Sequence, residues 1–204
     1  MALQKYPMMS VEDYLALDRA SEVRYEYLDG HLYMLAGGSP NYSIIQGNLI
    51  AILRGLLRGG PCRVHTSDLR FHLSETRYVY PDVWVKCGPR GQGDSVRSPR
   101  VVIEVLSPGT EMKDRTKKLV AYRAYPTVED YMLVNYQHQF IELYHRQGNE
   151  WIYSTFDAHD TVELKSLGIS FPVAEVYEDV YFGDASSPEG VEDEEDNTGL
   201  DESL

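Results

Sequence analysis

Two acidic residues lie inside segments that otherwise resemble buried β-strands. Glu104 stands within VVIEV, residues 101–105, and Asp82 follows Pro81 in YPDVWV, residues 80–85. An ionised carboxylate taken out of water costs several kcal/mol even after the protein relaxes, so each acid needs a partner. Proline cannot donate to a β-ladder and therefore marks an edge, a strand start or a bulge. At such a position Asp82 could turn toward a cleft.

A cation is the partner that would suit both carboxylates. The two segments are joined by a glycine-rich loop, so they could lie side by side and bring Asp82 near Glu104. Two neighbouring carboxylates repel each other. A hard divalent cation such as Mg²⁺ or Mn²⁺ removes that repulsion and prefers oxygen ligands. An arginine or lysine would also neutralise the pair, and the two residues alone leave both interpretations open.

A third candidate residue lies on the helix predicted after the Glu104 strand. In TEMKDRTKKLVAY, Asp114 and Lys118 are four residues apart and share one helix face. The first turns of this helix should lie over the carboxyl edge of the sheet. An ammonium there can stabilise charge on a phosphoryl group or orient a water. The alternative is a surface ion pair worth about 0.3 kcal/mol.

The net charge of −13 is unevenly distributed along the chain. Residues 183–204 carry nine acids and no base, whereas residues 54–123 carry fourteen bases and seven acids. The basic segment is compatible with a phosphate-bearing partner such as nucleic acid. A solvated basic surface without a partner explains it equally well. The acidic tail could mimic phosphate and occupy a basic groove, or it could serve only as a solubilising end.

The order of predicted elements indicates an α+β fold with a mixed central sheet flanked by helices. A short helix, a hairpin around Asp29-Gly30 and a core-packing helix come first. Residues 1–182 should form a single domain, and residues 183–204 an acidic, disordered tail. The remaining segments are strands CRVHT, DLRFHLS and RYVYPDVWVK, a loop GPRGQGDSVRSP, a helix ending near Tyr125 with Met112, Leu119 and Tyr122 as its apolar face, and strands DYMLVNY, QFIELYHR, EWIYSTF and TVELKS.

Several classes of protein do not fit the sequence. Neither a signal-peptide core nor an apolar run of about 18 residues occurs, so we expect a cytoplasmic protein without a membrane span. The two cysteines, Cys62 and Cys87, form no CxxC pair and should stay reduced there. A zinc site is not expected, because HxxH and HExxH spacings are missing among the histidines (His31, His65, His72, His138, His145 and His159).

Together these motifs resemble the PD-(D/E)XK nuclease superfamily. More narrowly, YEYLDG, YPDVWV, VVIEVLSPGT, Asp114-x-x-x-Lys118 and DYMLVN are similar to a bacterial family of restriction endonuclease-like proteins. The likeness runs from about residue 25 to residue 181 and stops before the acidic tail. The resemblance implies a restriction endonuclease-like core, a metal bound by an Asp and a Glu, and Mg²⁺-dependent hydrolysis of phosphodiester bonds in nucleic acid.

Carried over by position, the resemblance makes Asp82 and Glu104 the metal ligands, with the Val105 carbonyl as a third. Leu106 stands where the superfamily's usual lysine would be, so Lys118 from the following helix takes that role. Glu26 matches an acidic position before the hairpin turn and would assist the metal or its water. Its alternative is an exposed hairpin carboxylate.

One residue departs from the family pattern and keeps a second function open. Relatives commonly have a histidine just before the long helix, where this chain has Tyr42. If that histidine activates water, the chain could be a weak or inactive nuclease that acts as a nucleic-acid-binding or interaction module. If it is active, DNA is the expected substrate, and a homodimer would supply the two active sites needed to cut both strands.

Overall fold

The computed structural model describes residues 8–35, 38–89, 95–96 and 98–183. Its helical segments are α1 (Val11–Ala20), α2 (Pro40–Leu56), α3 (Glu111–Lys113), a π-helical turn (Asp114–Lys118), α4 (Leu119–Ala124) and α5 (Val173–Val176). Its strands are β1 (Tyr25–Leu28), β2 (His31–Met34), β3 (Cys62–Thr66), β4 (Arg70–Ser74), β5 (Arg77–Val79), β6 (Val83–Cys87), β7 (Ser95–Val96), β8 (Val101–Val105), β9 (Asp130–Val134), β10 (Phe140–Gln147), β11 (Glu150–Asp157), β12 (Thr161–Leu164) and β13 (Ile169–Pro172).

The main sheet has six strands in the order β11-β10-β9-β8-β6-β3. β8 and β9 are parallel and the other neighbours are antiparallel, so the predicted mixed sheet and α+β class are confirmed. Both β8 and β9 are buried along their whole length. Such strands are typically continuous runs of Val, Ile and Leu because both sheet faces are covered. Glu104 breaks that pattern in the middle of the sheet.

Side chains of β8 alternate between two hydrophobic cores. Val101, Ile103 and Val105 belong to the core that contains Leu49 and Leu53 of α2. Val102 belongs to the opposite core, together with Leu106 and with Phe71, Trp84, Tyr122 and Tyr131. Because successive strand residues point to opposite faces, Glu104 lies on the Val102 side. This is the side that the hairpin and the helical segment 111–124 cover.

The second sheet begins with the predicted hairpin and has the order β2-β1-β5-β4-β7. Asp29 and Gly30 both adopt positive φ, at 50° and 90°. A two-residue hairpin turn with positive φ at both positions favours Asp-Gly, which explains why this turn could be predicted. The hairpin places Glu26 on β1, and β1 also pairs with β5.

The helical segment after β8 contains an unexpected π turn. Asp114 O accepts a hydrogen bond from Leu119 N, five residues on, and another from the hydroxyl of Tyr131 at 3.1 Å. Met112 is 81% exposed, so its predicted place on the apolar face is wrong. Asp114 and Lys118 are instead buried, as are Ala121 and Tyr122 in the following turn. π turns are rare and occur frequently at functional sites.

Three other details differ from the sequence interpretation. RYVYPDVWVK is not one strand, because it divides at residues 80–82 into β5 and β6, which belong to different sheets. Within the predicted loop, residues 95–96 form β7 and pair with β4, while residues 90–94 and 97 lie outside the described part. β13, which pairs with β12, was not predicted.

Cys62 and Cys87 form a disulfide, so the expectation that they stay reduced is wrong for this structure. The two residues face each other on the antiparallel pair β3 and β6. Their pairing depends on strand register, which a separation of 25 residues in the sequence does not reveal.

Among the described residues, none of the helices combines the length and apolar character needed to cross a membrane. Apart from Gly183, the predicted acidic tail lies outside the described part of the chain.

Candidate active site

Asp82 and Glu104 lie beside each other where β6 and β8 meet. The antiparallel register pairs Val83 with Ile103, so one further step along the ladder brings Asp82 next to Glu104. Asp82 precedes the regular part of β6, and its Oδ2 accepts a hydrogen bond from Val105 N at 2.7 Å. Both carboxylates line the same cavity, which has a volume of about 370 Å³. The structure therefore brings these two predicted residues together.

Lys118 reaches into the same site from the π turn. Its Nζ lies 2.9 Å from Glu104 Oε1, 2.7 Å from Glu26 Oε1 and 3.2 Å from Asp114 Oδ1. Only 3% of Lys118 is exposed. The alternative interpretation, a solvated surface ion pair between Lys118 and Asp114, is therefore wrong, since the ammonium is buried among three carboxylates.

Glu26 is fully buried, which rules out an exposed hairpin carboxylate. Its Oε2 lies 2.6 Å from Lys113 Nζ, and its Oε1 accepts a hydrogen bond from Tyr80 N at 3.3 Å in addition to contacting Lys118. Burial by itself raises the pKa of Glu26, but the ammonium groups of Lys118 and Lys113 outweigh burial and hold that pKa below its ordinary value. Glu26 is therefore ionised and joins two lysines.

Asp82 and Glu104 have the opposite electrostatic character. Burial raises the pKa of Asp82 to about 6, although hydrogen bonds from Tyr42 and Val105 N act against the shift. Burial also raises the pKa of Glu104 well above its usual range, and the charges of Asp114, Asp82 and Glu26 add to the effect of burial although Lys118 opposes it. The two carboxylates therefore have less positive charge around them than their ionised forms require.

The formal charges around the cavity also indicate an excess of negative charge. Four carboxylates and two ammonium groups line it (Glu26, Asp82, Glu104, Asp114, Lys113 and Lys118). With all six groups ionised, the lining has a formal charge of −2. Asp114 Oδ1 is buried without a hydrogen bond, and its contact with Lys118 Nζ is an ion pair at 3.2 Å. One divalent cation would neutralise the lining.

The donor set fits a magnesium-type cation only if water or backbone oxygen completes the coordination. Within residues 8–35, 38–89, 95–96 and 98–183, no group of three or more acidic, histidine or cysteine side chains converges as a ready metal cage. Mg²⁺ keeps several waters and typically takes one or two carboxylates from the protein. Asp82 and Glu104 meet that smaller requirement.

Two tyrosine hydroxyls hold these carboxylates in place. Tyr42 OH, from the first turn of α2, donates a short hydrogen bond to Asp82 Oδ1. Tyr122 OH donates to Glu104 Oε1 at 3.0 Å and is itself fully buried. Tyr42 thus contacts the site directly at the position where the resemblance implies a histidine.

Sequence reasoning missed Tyr122 as a contact of Glu104 and Lys113 as a partner of Glu26. Lys113 and Lys118 are five residues apart, which places them on well-separated faces of a regular α-helix. The π turn between them, with its i→i+5 bonding, brings both lysines to Glu26. Tyr122 is four residues after Lys118, so helical spacing alone could have suggested that it points toward the same site.

The fold and the site together define a restriction endonuclease-like protein. The model of the Uma2 family, described as "Putative restriction endonuclease", matches residues 11–174. That span covers most of the chain, and the protein belongs to this family.

Two curated relatives come from Synechocystis sp. "Uncharacterized protein slr1290" is 38% identical over 181 residues, which cover 87% of this chain and 95% of the relative. "Uncharacterized protein sll1609" is 26% identical over 151 residues, covering 71% of this chain and 85% of that protein. The first relative is similar over nearly the whole described chain.

A crystal structure of a protein described as a "putative nuclease" from Anabaena variabilis has the same fold. The TM-score is 0.69, with 83% of this chain and 98% of that chain covered. The sequence identity of 18% limits the comparison to the fold.

Lys118→Met should strongly destabilise the protein. The change keeps the length of the side chain but leaves three buried carboxylates without their shared ammonium. Removing one partner of a buried ion pair typically costs about 3–5 kcal/mol. Urea denaturation should show a loss of this size, whereas Lys117→Met, at an exposed neighbour that contacts Tyr33 OH, should change stability by less than about 1 kcal/mol. Equal effects of the two substitutions would contradict the buried position of Lys118.

The raised pKa of Asp82 predicts a pH-dependent effect of Asp82→Asn. A folded-state pKa of about 6, above the ordinary 3.8, means that stability from this group is lost as pH rises through about 4 to 6. With a chelator present well above pH 6, the variant should be more stable than wild type by about 3 kcal/mol, because one pKa unit corresponds to about 1.4 kcal/mol. The advantage should vanish near pH 4. Urea denaturation at both pH values checks this, and a variant less stable than wild type at pH 8 would refute it.

Proposed function

We propose that this protein is a divalent-metal-dependent endonuclease that hydrolyses phosphodiester bonds of DNA. One observation carries the proposal: Asp82 and Glu104, from neighbouring antiparallel strands, line one cavity with the Lys118 ammonium 2.9 Å from Glu104. Membership of the Uma2 family, whose description is "Putative restriction endonuclease", supports a nuclease activity. The metal, the substrate and the assembly belong to the proposal.

In this proposal Asp82 and Glu104 hold Mg²⁺ or Mn²⁺, with the Val105 carbonyl as a third oxygen. Such a cation polarises a scissile phosphate and lowers the pKa of a water. The raised pKa values of the two carboxylates support this assignment, because the ionised forms gain most from an added positive charge. The −2 charge of the lining matches one divalent ion.

Lys118 and Glu26 have different roles in the proposed reaction. The ammonium of Lys118 lies beside Glu104, where it can stabilise negative charge that develops on a phosphoryl group. Glu26 acts through Lys118: its ionised carboxylate holds the ammonium charged and directs it toward Glu104. Lys113 completes this arrangement from the other oxygen of Glu26.

DNA is the proposed substrate, and a homodimer is the proposed assembly. The described part of each chain offers one cavity with this set of residues, whereas cutting both strands of a duplex requires two. A symmetric pair of chains would supply the second site.

A second candidate function is a nuclease-fold module that binds nucleic acid without cutting it. Both oxygens of Asp82 already accept hydrogen bonds from the protein, one from Tyr42 OH and one from Val105 N. Lys118 also neutralises part of the acidic cluster. A chain that binds DNA equally with and without Mg²⁺ or Mn²⁺, and cuts neither single nor double strands, would have this function.

Glu104→Gln and Asp82→Asn should each abolish cleavage of DNA in Mg²⁺ or Mn²⁺ while the fold stays intact. A metal supplies several kcal/mol of transition-state stabilisation, and each 1.36 kcal/mol is a factor of ten. We therefore expect at least about a thousand-fold loss of rate, measured on single- and double-stranded substrates. Glu129→Gln is the control, since Glu129 is paired with Arg100 on the surface. This variant should cleave DNA like wild type. Wild-type cleavage by either site variant would refute the assignment.

A further inference from the structure

The basic segment identified in the sequence, residues 54–123, is partly neutralised within the protein. Six of its fourteen bases form ion pairs with carboxylates, so those charges are already balanced. The six pairs are Arg70–Asp18, Arg77–Asp29, Arg100–Glu129, Lys113–Glu26, Arg115–Glu142 and Lys118–Glu104. A basic sequence average therefore says little about where a polyanion could bind.

Two more bases contact aromatic side chains: Lys117 lies over the ring of Tyr33 and Arg123 over that of Trp151. Arg90 and Arg97 fall outside the described residues. The four that remain are Arg54, Arg58, Arg63 and Lys86. Within the described ranges, no carboxylate lies within ion-pair distance of any of these four.

The three arginines lie together at the C-terminal end of α2, and we call Arg54, Arg58 and Arg63 the α2-end patch. Arg54 belongs to the last turn of α2 and Arg58 follows the helix. Arg63 on β3 is opposite Lys86 on β6. The three arginines line one concave site of about 420 Å³, whose other lining residues are uncharged (Leu57, Gly59, Cys62 and Val64).

Internal structure does not account for this concentration of charge. Like charges four residues apart on a helix repel each other, and so do like charges directly opposite on paired strands. The negative end of the α2 dipole favours cations near Arg54 and Arg58. That effect falls off within the last turn of the helix, so Arg63 and Lys86 lack this stabilisation. An external anion would relieve the repulsion among the three arginines.

Hydrogen bonds and a disulfide restrain the structure around Arg63 in the patch. Arg63 Nη1 donates to the carbonyls of Gly60 and Cys62, both at 2.7 Å, which restrains its guanidinium group. The Cys62–Cys87 disulfide occupies the rung next to the Arg63–Lys86 pair. Arginine side chains restrained in this way match phosphate geometry well and lose little freedom when they bind.

We propose that the α2-end patch binds the phosphate backbone of DNA at a second place, away from the catalytic cavity; this rests on the proposed nuclease function. Tyr42 contacts Asp82 at the other end of α2. The twelve residues from Tyr42 to Arg54 span about 18 Å at 1.5 Å per residue. That length equals about five nucleotide steps of duplex at 3.4 Å each. The contact is with phosphate and is therefore independent of base sequence.

The test compares two double variants that remove the same number of charges. Arg54→Gln with Arg58→Gln removes exposed patch arginines, and Arg77→Gln with Arg100→Gln removes partly exposed arginines paired with carboxylates. Affinity for a fluorescent DNA duplex is measured for the full-length chain over a salt series, with a chelator to prevent cleavage. Each lost phosphate contact reduces the slope of log K against log salt by about 0.9, so the patch variant should lose about 1.8.

The control variant should keep the wild-type slope, and equal slopes for the patch variant and wild type would overturn the inference. An acidic surface, including residues 184–204 of this chain, would then become the candidate occupant. The measurement does not depend on cutting. A wild-type chain that never cleaves DNA but shows the patch-dependent slope would refute the nuclease function and retain the patch. DNA cleavage by the wild-type chain, with equal salt slopes for wild type and the patch variant, would support the nuclease function and refute the patch.

Discussion

The ammonium of Lys118 is the group on which the whole site depends. It lies among Glu26 of the hairpin, Glu104 of the central strand and Asp114 of its own π turn. The three carboxylates come from three separate elements, so one buried cation joins the hairpin, the main sheet and the helix. Two like charges inside a protein repel strongly. Without the ammonium, these elements could not all bury their acids at the same place.

The ammonium of Lys118 does not balance all of the negative charge in the site. Glu26 is stabilised in its ionised form, whereas the pKa values of Asp82 and Glu104 are raised. The cavity therefore has one half in which two lysines satisfy Glu26, and one half in which Lys118 alone does not offset the burial of Asp82 and Glu104. Perturbed carboxylates in a cleft are typical of functional sites. A divalent cation bound by Asp82 and Glu104 would connect this imbalance to the proposed nuclease activity.

Sequence patterns predicted the parts of the site that follow from local rules. Three sequence features have a local physical cause: Pro81 before Asp82, Glu104 within a run of apolar residues, and the Asp-Gly turn. The structure brings the four predicted residues to one cavity (Asp82, Glu104, Lys118 and Glu26). The π turn includes a long-range contact, since Tyr131 on a distant strand donates to Asp114 O, and no local pattern predicts this turn or the role of Lys113. The disulfide and the division of RYVYPDVWVK between two sheets likewise depend on long-range register.

The most direct test of the central claim is a crystal grown with Mn²⁺ and measured for anomalous scattering. We predict one peak between Asp82 and Glu104, about 2.1 Å from an oxygen of each, as expected for a small hard cation. A map without a peak there, at a Mn²⁺ concentration that supports DNA cleavage, would contradict it. The two carboxylates would then serve the fold rather than the chemistry.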